Sequence, residues 1–256
     1  MTAGASFHRN DFTVRPKMTA PALKLDHLVV AARTLDEGTA HVADALGIEP
    51  AGGGAHPLMR THNRLFGLWG GAYLEVIAID PEAGAPAGTT PRPRLFALDT
   101  PAMRARLERG PALIHWVARV EPPRQLERWQ RQYPALIAPV VRMQRGDWHW
   151  RLSVPVDGSL PGAAGLAGDG VVPSLIQWDS ARHPSDALPH GDVVLRSLAA
   201  THPQAEALAA PLERLGVGHL ISLATATAGG GEAGEAQAAA ALVASFDTPR
   251  GPRTLR

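Results

Sequence analysis

Two similar buried-strand segments, far apart in the chain, constrain this fold more than any other feature. LDHLVV at residues 25–30 resembles LIHWVA at residues 113–118. Both segments are short and apolar, as expected for buried strands, and each has one histidine near its middle. Aligning the two segments places His27 opposite His115. A match of this kind indicates that a supersecondary unit has been duplicated.

A second pair of segments supports the same duplication. YLEVIA at residues 73–78 aligns with LIQWDS at residues 175–180, and this alignment places Glu75 opposite Gln177. Each copy therefore has one histidine in its first strand and one Glu or Gln in its last strand. Polar residues at matching places in apolar strands indicate a shared site.

The residues between these strands predict that each copy is a βαβββ unit. In the first copy, Thr34 and Glu37 have the spacing of a capping box at the start of a helix. In the second copy, Pro122 and Pro123 open a helix, because proline suits the first helical turn. The glycine-rich stretch 51–55 is predicted to be a turn that leads into two further strands.

These units predict an α+β protein. The predicted connection between the two complete units is the Pro-, Gly- and Arg-rich stretch 81–111, with one short helix. The predicted boundaries are a flexible N-terminal extension at 1–22, a first module at 23–81, a second module at 112–180 and a partial third module at 192–248.

The composition excludes several classes of protein. The 256 residues include 25 Lys and Arg, 24 Asp and Glu, and no cysteine. This charge balance gives no footprint for nucleic acid or an anionic membrane, and the lack of cysteine excludes thiolate metal sites and cysteine nucleophiles. The N-terminus lacks the apolar segment of a secretory signal, so we expect a cytoplasmic protein. The expected partner is a small-molecule substrate. The sequence leaves the oligomeric state open, and a second Met-Thr-Ala favours Met18 as the natural start.

Glu75 is the clearest candidate site residue because it is the only charge in an apolar strand. An unpaired buried carboxylate costs several kcal/mol, so Glu75 is expected to pair with a cation or to bind a metal ion. Together with His27, His115 and Gln177, it would form a metal site of nitrogen and oxygen donors. Such donors suit a divalent ion such as Zn, Ni, Co, Mn or Fe.

Three further side chains are predicted to bind a substrate. His62 and Asn63 precede an apolar strand at the expected rim of the cavity, and Arg151 can clamp a carboxylate with two parallel hydrogen bonds. A structural alternative stands beside each assignment. His62 and Asn63 can serve the start of the strand, Arg151 can form a buried ion pair with Glu75, and the two strand histidines can be satisfied core residues.

The duplicated units resemble the vicinal oxygen chelate superfamily and, within it, the bacterial glyoxalase-like group. The resemblance covers residues 23–256 and is carried by LDHLVVAA, HPLMRTHNRLFGLWGGAYLEVIA, LIHWVAR, RGDWHWRLSVP and LIQWD. It implies that the curved mixed sheets of the modules pair around a shared cavity, in a cupped barrel of the glyoxalase and dihydroxybiphenyl-dioxygenase type. It also implies a metal ion held by His27, Glu75, His115 and Gln177. Relatives such as glyoxalase I have a catalytic glutamate where this chain has Gln177, so Glu75 is expected to supply the catalytic base.

Three functions remain open at this point. The first is a metal-dependent lyase or isomerase that acts on a small oxygenated metabolite. The second is an Fe(II) ring-cleaving dioxygenase in which His27, His115 and Glu75 form a two-histidine, one-carboxylate site. The third is a metal-free protein that sequesters a small molecule such as a drug, with Glu75 neutralised by Arg151.

Overall fold

A computed structural model of the chain describes most of its length. The described residues are 23–84, 91–163, 165–166, 168–180, 182–189, 192–226 and 240–256. The predicted N-terminal extension at residues 1–22, which includes Met18, lies outside them.

The first half of the chain forms four strands and one helix. Its elements are β1 (Lys24–Ala31), α1 (Leu35–Leu46), β2 (Gly52–His56), β3 (Thr61–Gly67) and β4 (Tyr73–Ile79). β1 is parallel to β4, whereas β2, β3 and β4 are antiparallel neighbours. Of the capping box predicted for α1, the structure shows the Thr34 half, since Thr34 Oγ1 accepts a hydrogen bond of 3.2 Å from the Glu37 backbone N–H.

The second half repeats this arrangement. Its elements are α2 (Pro101–Leu107), β5 (Ala112–Arg119), α3 (Leu126–Gln132), β6 (Val140–Arg145), β7 (Trp148–Ser153) and β8 (Ser174–Trp178). All eight strands form one sheet in the order β2-β3-β4-β1-β5-β8-β7-β6, with β1 and β5 antiparallel at its centre. From the centre outward, the strands of the first half have the order β1-β4-β3-β2, and those of the second half have the matching order β5-β8-β7-β6. The predicted α+β class and cupped barrel are confirmed.

The two outer strands of this sheet approach each other, so the barrel is nearly closed. A methyl group on Gly54 of β2 would lie 3.0 Å from Arg145 Cδ of β6. The prediction of a turn at 51–55 was wrong, because Gly52–His56 is a strand paired with β3. A side chain at Gly53 would lie 2.2 Å from the Asn63 carbonyl oxygen, and its φ is 136°. Only glycine allows so close an approach, although glycine is otherwise depleted in strands.

The C-terminal part forms a separate four-stranded sheet. Its elements are β9 (Val194–His202), α4 (Ala205–Arg214), β10 (Ser222–Thr225), β11 (Ala241–Thr248) and β12 (Gly251–Leu255), and the strand order is β10-β9-β11-β12. Leu242 and Phe246 of this sheet belong to the same apolar cluster as Leu28 and Trp116 of the large sheet. We call the sheet face that carries Leu28 and Trp116 the outer face. It is covered by helices and by the C-terminal sheet.

The opposite, inner face is partly filled by the connection between the two halves. Leu95, Phe96, Met103 and Leu107 pack in a second apolar cluster with Val29 and other inner-face residues. The connection therefore fills part of the cup, and a small cavity remains that Leu95 and Phe96 help to line. Within the described residues, no helix has the length and apolar character needed to cross a membrane.

Candidate active site

The remaining cavity in the cup is small and mixes charged and aromatic side chains. Its volume is about 40 Å³, which accommodates a few water-sized groups. It is lined by His27, His56, Asn63, Leu65, Tyr73, Glu75, Leu95, Phe96, Met143, Arg145, Trp150, Leu152, Ile176, Trp178 and Pro184.

A β-bulge in β1 brings the side chain of Asp26 beside that of His27, which lines this cavity. Leu25 pairs with Ala118 and His27 pairs with Val117, so Asp26 is an extra residue in the ladder. Such a bulge interrupts the alternation of side chains along a strand. As a result, Asp26 contacts the His27 ring instead of packing beneath the outer helices, and its side chain is completely buried.

Asp26 is the centre of a buried hydrogen-bond network. Its Oδ1 lies 2.7 Å from His27 Nδ1, and its Oδ2 lies 2.9 Å from His183 Nε2. Trp178 Nε1 donates to the same Oδ2 at 3.0 Å. Burial alone would raise the pKa of Asp26, but its hydrogen bonds to the two histidines outweigh burial and hold that pKa well below its usual value. Asp26 is therefore a buried anion.

His27 lies between two carboxylates. Its Nδ1 faces Asp26, and its Nε2 lies 3.5 Å from Glu75 Oε2. Burial lowers the pKa of His27, but hydrogen bonds and charge interactions with the two acids raise it overall to about 9. Tyr73 stacks on the imidazole with ring centroids 4.7 Å apart. His27 is thus a cation at neutral pH, oriented by Asp26 and Tyr73.

Glu75 is the partner anion at the cavity. Asn63 Nδ2 donates to its Oε1 at 2.6 Å, which leaves Oε2 toward His27. Burial raises the pKa of Glu75, but His27, His56 and Asn63 lower it overall to about 2. At 3.5 Å the contact with His27 is longer than a normal hydrogen bond, so both groups can also interact with a third molecule.

Asn63 is fixed by four neighbours. Its Oδ1 accepts hydrogen bonds of 3.0 Å from the Gly54 backbone N–H and from Arg145 Nη1. Its Nδ2 donates to Glu75 and lies 3.3 Å from His56 Nε2. All four hydrogen-bonding positions of the amide are used, which fixes its orientation. Burial lowers the pKa of His56 to about 4, so this histidine is neutral and accepts from Asn63.

His115 lies on the inner face but is held by structural contacts. Its Nδ1 lies 3.3 Å from the Gly170 carbonyl oxygen, and its Nε2 accepts a hydrogen bond of 3.0 Å from the Ser174 backbone N–H. Burial lowers the pKa of His115 to about 3, so the ring is neutral. Both ring nitrogens are occupied by protein groups. His115 does not line the cavity, and the expectation that it joins His27 and Glu75 there is corrected.

Gln177 faces away from the cavity. Its Oε1 accepts from the Leu126 backbone N–H at 2.8 Å, and its Nε2 donates to the Arg124 carbonyl oxygen at 3.1 Å. Gln177 thus anchors the start of α3 on the outer face. Its expected place beside Glu75 is corrected for a reason of register. Adjacent residues of a strand point to opposite faces, so a small error in alignment changes the face.

The strand register identifies a different counterpart of Glu75. His27 pairs with Val117 and Val29 pairs with His115, which relates the two histidines by the approximate two-fold symmetry. Val29 is also the neighbour of Glu75, and the symmetry-related Val117 is the neighbour of Ser174. Ser174 therefore occupies in the second half the place that Glu75 occupies in the first.

Two of the three predicted substrate-binding residues lie on the outer face. Arg151 forms an ion pair with Asp179, and His62 is the register partner of outer-face Ala78. Both expectations are corrected, whereas Asn63 does line the cavity. The arginine at the cavity is instead Arg145, at the end of β6. The alternation of β6 with Met143 on the same face was the available signal for Arg145.

The residues do not fit the metal site that the sequence implied. Across the described parts of the chain, no group of three or more His, Asp and Glu side chains is arranged to hold an ion. Both nitrogens of His115 are engaged by protein groups, and Gln177 lies on the other face. Neither the four-ligand set nor the iron set with His115 is formed.

The fold and the site together define a protein with paired βαβββ modules around a buried acid–base cluster. The family model described as "Glyoxalase-like domain" matches residues 25–216, which is most of the chain. The chain belongs to this glyoxalase-like family of the vicinal oxygen chelate type. The search of curated proteins gave no match.

Several solved structures are similar to this chain at low sequence identity. A hypothetical protein from Staphylococcus aureus shares 13% identity over 75% of each chain, with a TM-score of 0.49. Methylmalonyl-CoA epimerase from Mycobacterium tuberculosis shares 16% identity over 66% of this chain and 95% of its own, with a TM-score of 0.41.

Proposed function

We propose that this protein is an isomerase- or lyase-type enzyme that moves a proton next to a carbonyl group in a small oxygenated metabolite. The observation that carries this proposal is the pair of His27 and Glu75, a buried cation and a buried anion 3.5 Å apart at the cavity. Each is oriented by a second side chain, Asp26 for His27 and Asn63 for Glu75. A positioned base beside a positioned acid is the requirement for general acid–base catalysis.

The proposed step uses both groups on one substrate. Glu75 accepts a proton from the carbon next to the carbonyl, and the C–H electron pair forms a carbon–carbon double bond. His27 Nε2 donates its proton to the carbonyl oxygen, which gives an enol. Return of a proton to either face or to a neighbouring carbon gives an isomer, and loss of a leaving group gives a lyase product. No external oxidant or reductant is needed.

The coupling between the two groups links their two proton transfers, although it opposes either transfer alone. In the resting site the His27 cation lowers the pKa of Glu75, and the Glu75 anion raises the pKa of His27. Once Glu75 holds a proton, the anion that stabilised protonated His27 is gone. The acidity of His27 then rises, and neutral His27 no longer opposes protonation of Glu75. Strongly coupled groups of this kind titrate as a pair.

The metal-dependent form of this chemistry has less support from the side chains. His115 and Gln177, two of the four expected ligands, are engaged in other contacts, so the proposed step is routed through no metal ion. The Fe(II) dioxygenase alternative also required His115. The sequestering alternative required an ion pair of Glu75 with Arg151, which instead pairs with Asp179, and a pocket larger than about 40 Å³.

The test is proton exchange measured directly. The protein is incubated in D₂O with small hydroxyketones, 2-oxo acids and 2-hydroxy acids, and deuterium incorporation next to the carbonyl is followed by NMR. We expect wild-type protein to accelerate exchange in at least one compound. Glu75→Gln should reduce that rate by roughly 10²- to 10⁴-fold, the usual value of a positioned proton-transfer group.

Arg151→Gln is the matched control, because Arg151 lies on the outer face and is expected to leave exchange unchanged. A chelator should also leave the rate unchanged. Exchange that survives in Glu75→Gln, or that is absent for every compound with wild-type protein, would contradict the proposal. Deuterium exchange that is lost with the chelator and restored by one divalent ion would support the metal-dependent alternative instead.

A further inference from the structure

Arg145 is an arginine at the cavity whose hydrogen-bond partner is a neutral amide. Five arginines form hydrogen-bonded ion pairs with carboxylates through Glu37, Asp99, Glu127, Asp179 and Asp247. Arg145 lines the cavity, and its hydrogen bond there goes to the neutral amide of Asn63. Within the described residues it forms no ion pair with Asp or Glu.

The position of Arg145 is fixed by its surroundings. Its side chain crosses Gly54, where even a methyl group would lie 3.0 Å from Arg145 Cδ. Its Nη1 donates to Asn63 Oδ1, whose orientation is set by four contacts. One guanidinium N–H of Arg145 therefore holds the side chain in place. The planar group retains further N–H donors, and two such donors match the two oxygens of a carboxylate.

Among the described residues around the cavity, Arg145 has no carboxylate in direct contact. Asp26 and His27 offset each other, as do Glu75 and Arg145 in number, but the last two are not in contact. The Asn63 amide separates them, accepting from Arg145 on one side and donating to Glu75 on the other. An anion that binds Arg145 thus gains a cation that Glu75 does not neutralise directly.

The same separation sets the distance between a bound anion and the proton-transfer groups. A carboxylate bound to Arg145 would be near Glu75, because both residues contact the same Asn63 amide and line the same cavity. The carbon atoms next to that carboxylate would then be within the cavity that Glu75 and His27 also line. The cavity volume of about 40 Å³ limits the ligand to a few heavy atoms near these groups.

We infer that Arg145 binds the carboxylate of the substrate, so that the substrate is a small 2-oxo or 2-hydroxy acid. The inference rests on the proposed function for the role of Glu75 and His27. It adds a specificity-determining residue, and it narrows the substrates from oxygenated metabolites in general to short carboxylic acids with an oxygen on the neighbouring carbon.

The test is binding, which is separate from catalysis. Pyruvate, glyoxylate and lactate are titrated into the protein by calorimetry or protein-observed NMR, with pyruvamide as the uncharged match for pyruvate. We expect at least one carboxylate to bind wild-type protein. Binding should weaken roughly tenfold or more in Arg145→Gln, as for loss of a hydrogen bond to a charged group, and less in Arg145→Lys.

Arg142→Gln is the matched control. Arg142 lies on the same strand, is exposed and pairs with Glu127, so its loss should leave binding unchanged. Thermal unfolding of both variants checks that they are folded. Equal binding of pyruvate and pyruvamide, equal binding by wild type and Arg145→Gln, or no binding of any of the three acids at tens of millimolar would overturn the inference.

The outcomes separate the inference from the proposed function. If the acids bind through Arg145 but exchange no deuterium, the carboxylate site stands and the acid–base proposal fails. If Glu75-dependent exchange is found only with neutral hydroxyketones and is unchanged in Arg145→Gln, the acid–base proposal stands and the carboxylate inference fails.

Discussion

The two halves of the barrel place a histidine at the same point of the first strand, but the pKa values of the two histidines are shifted in opposite directions. His27 faces Glu75, has Asp26 on its other side and is held as a cation. His115 faces Ser174 and is held as a neutral ring by burial and two protein contacts. The duplicated fold gives both histidines the same position in the strand. The neighbouring residue, Glu75 or Ser174, determines whether the histidine can transfer a proton or only stabilises the fold.

The largest expected effect comes from removing the anion that is special to the first half. Asp26→Asn leaves His27 and His183 without their buried carboxylate partner. Removing one member of a buried ionic network typically costs about 3–5 kcal/mol. We expect a loss of this size in urea unfolding at pH 7 and a fall in the pKa of His27, measured by NMR titration. Asp179→Asn on the outer face is the control, and equal losses in the two variants would contradict the assignment.

The pH dependence of stability should separate the two histidines, first on the alkaline side. His27 has a folded-state pKa of about 9 against 6.5 for an ordinary histidine. Its contribution is therefore fully present below pH 6.5 and is lost as the pH rises through 9. The slope for one proton is at most about 1.4 kcal/mol per pH unit. The stability difference between wild type and His27→Gln should narrow from pH 6.5 to 9, and a constant difference would contradict this prediction.

His115 should act on the acid side and with the opposite sign. Its pKa is lowered by burial to about 3, so the unfolded chain takes up a proton below pH 6.5 while folded His115 does not. Wild-type protein therefore loses stability through this residue as the pH falls from 6.5 toward 3. His115→Gln lacks this loss. The difference in unfolding free energy between wild type and His115→Gln, measured at pH 7, 6 and 5, should therefore become smaller as the pH falls. A difference in unfolding free energy that stays constant with pH would contradict a lowered pKa for His115.

The same comparison explains what could be predicted from the sequence. The α+β class followed from the apolar strands, the capping residues and the repeat, whereas the cupped barrel followed from the family resemblance. The glycine strand Gly52–His56 was missed, since its pairing depends on close approach to Asn63 and not on local propensity.

The candidate site depended on finer information than the strands themselves. Gln177 was aligned with Glu75, but the register of β5 and β8 makes Ser174 the counterpart. A shift of three residues in a strand moves a side chain to the other face. Asp26 was missed because a bulge places it against the His27 ring, and His183 was missed because it comes from a loop after β8. Register and bulges arise from pairing across the whole sheet.

The smallest expected effect tests whether Ser174 is only structural. Ser174→Ala removes the hydroxyl that lies 3.0 Å from His115 Nε2 but keeps the backbone N–H that bonds the same nitrogen. The loss of one such hydrogen bond typically costs about 1 kcal/mol. We expect a loss of this size in urea unfolding and an unchanged deuterium-exchange rate, because His115 keeps its main partner and lies outside the cavity. A fall in exchange comparable to that of Glu75→Gln would mean that the second half also takes part in the chemistry, and that its neutral pair is a functional counterpart of His27 and Glu75.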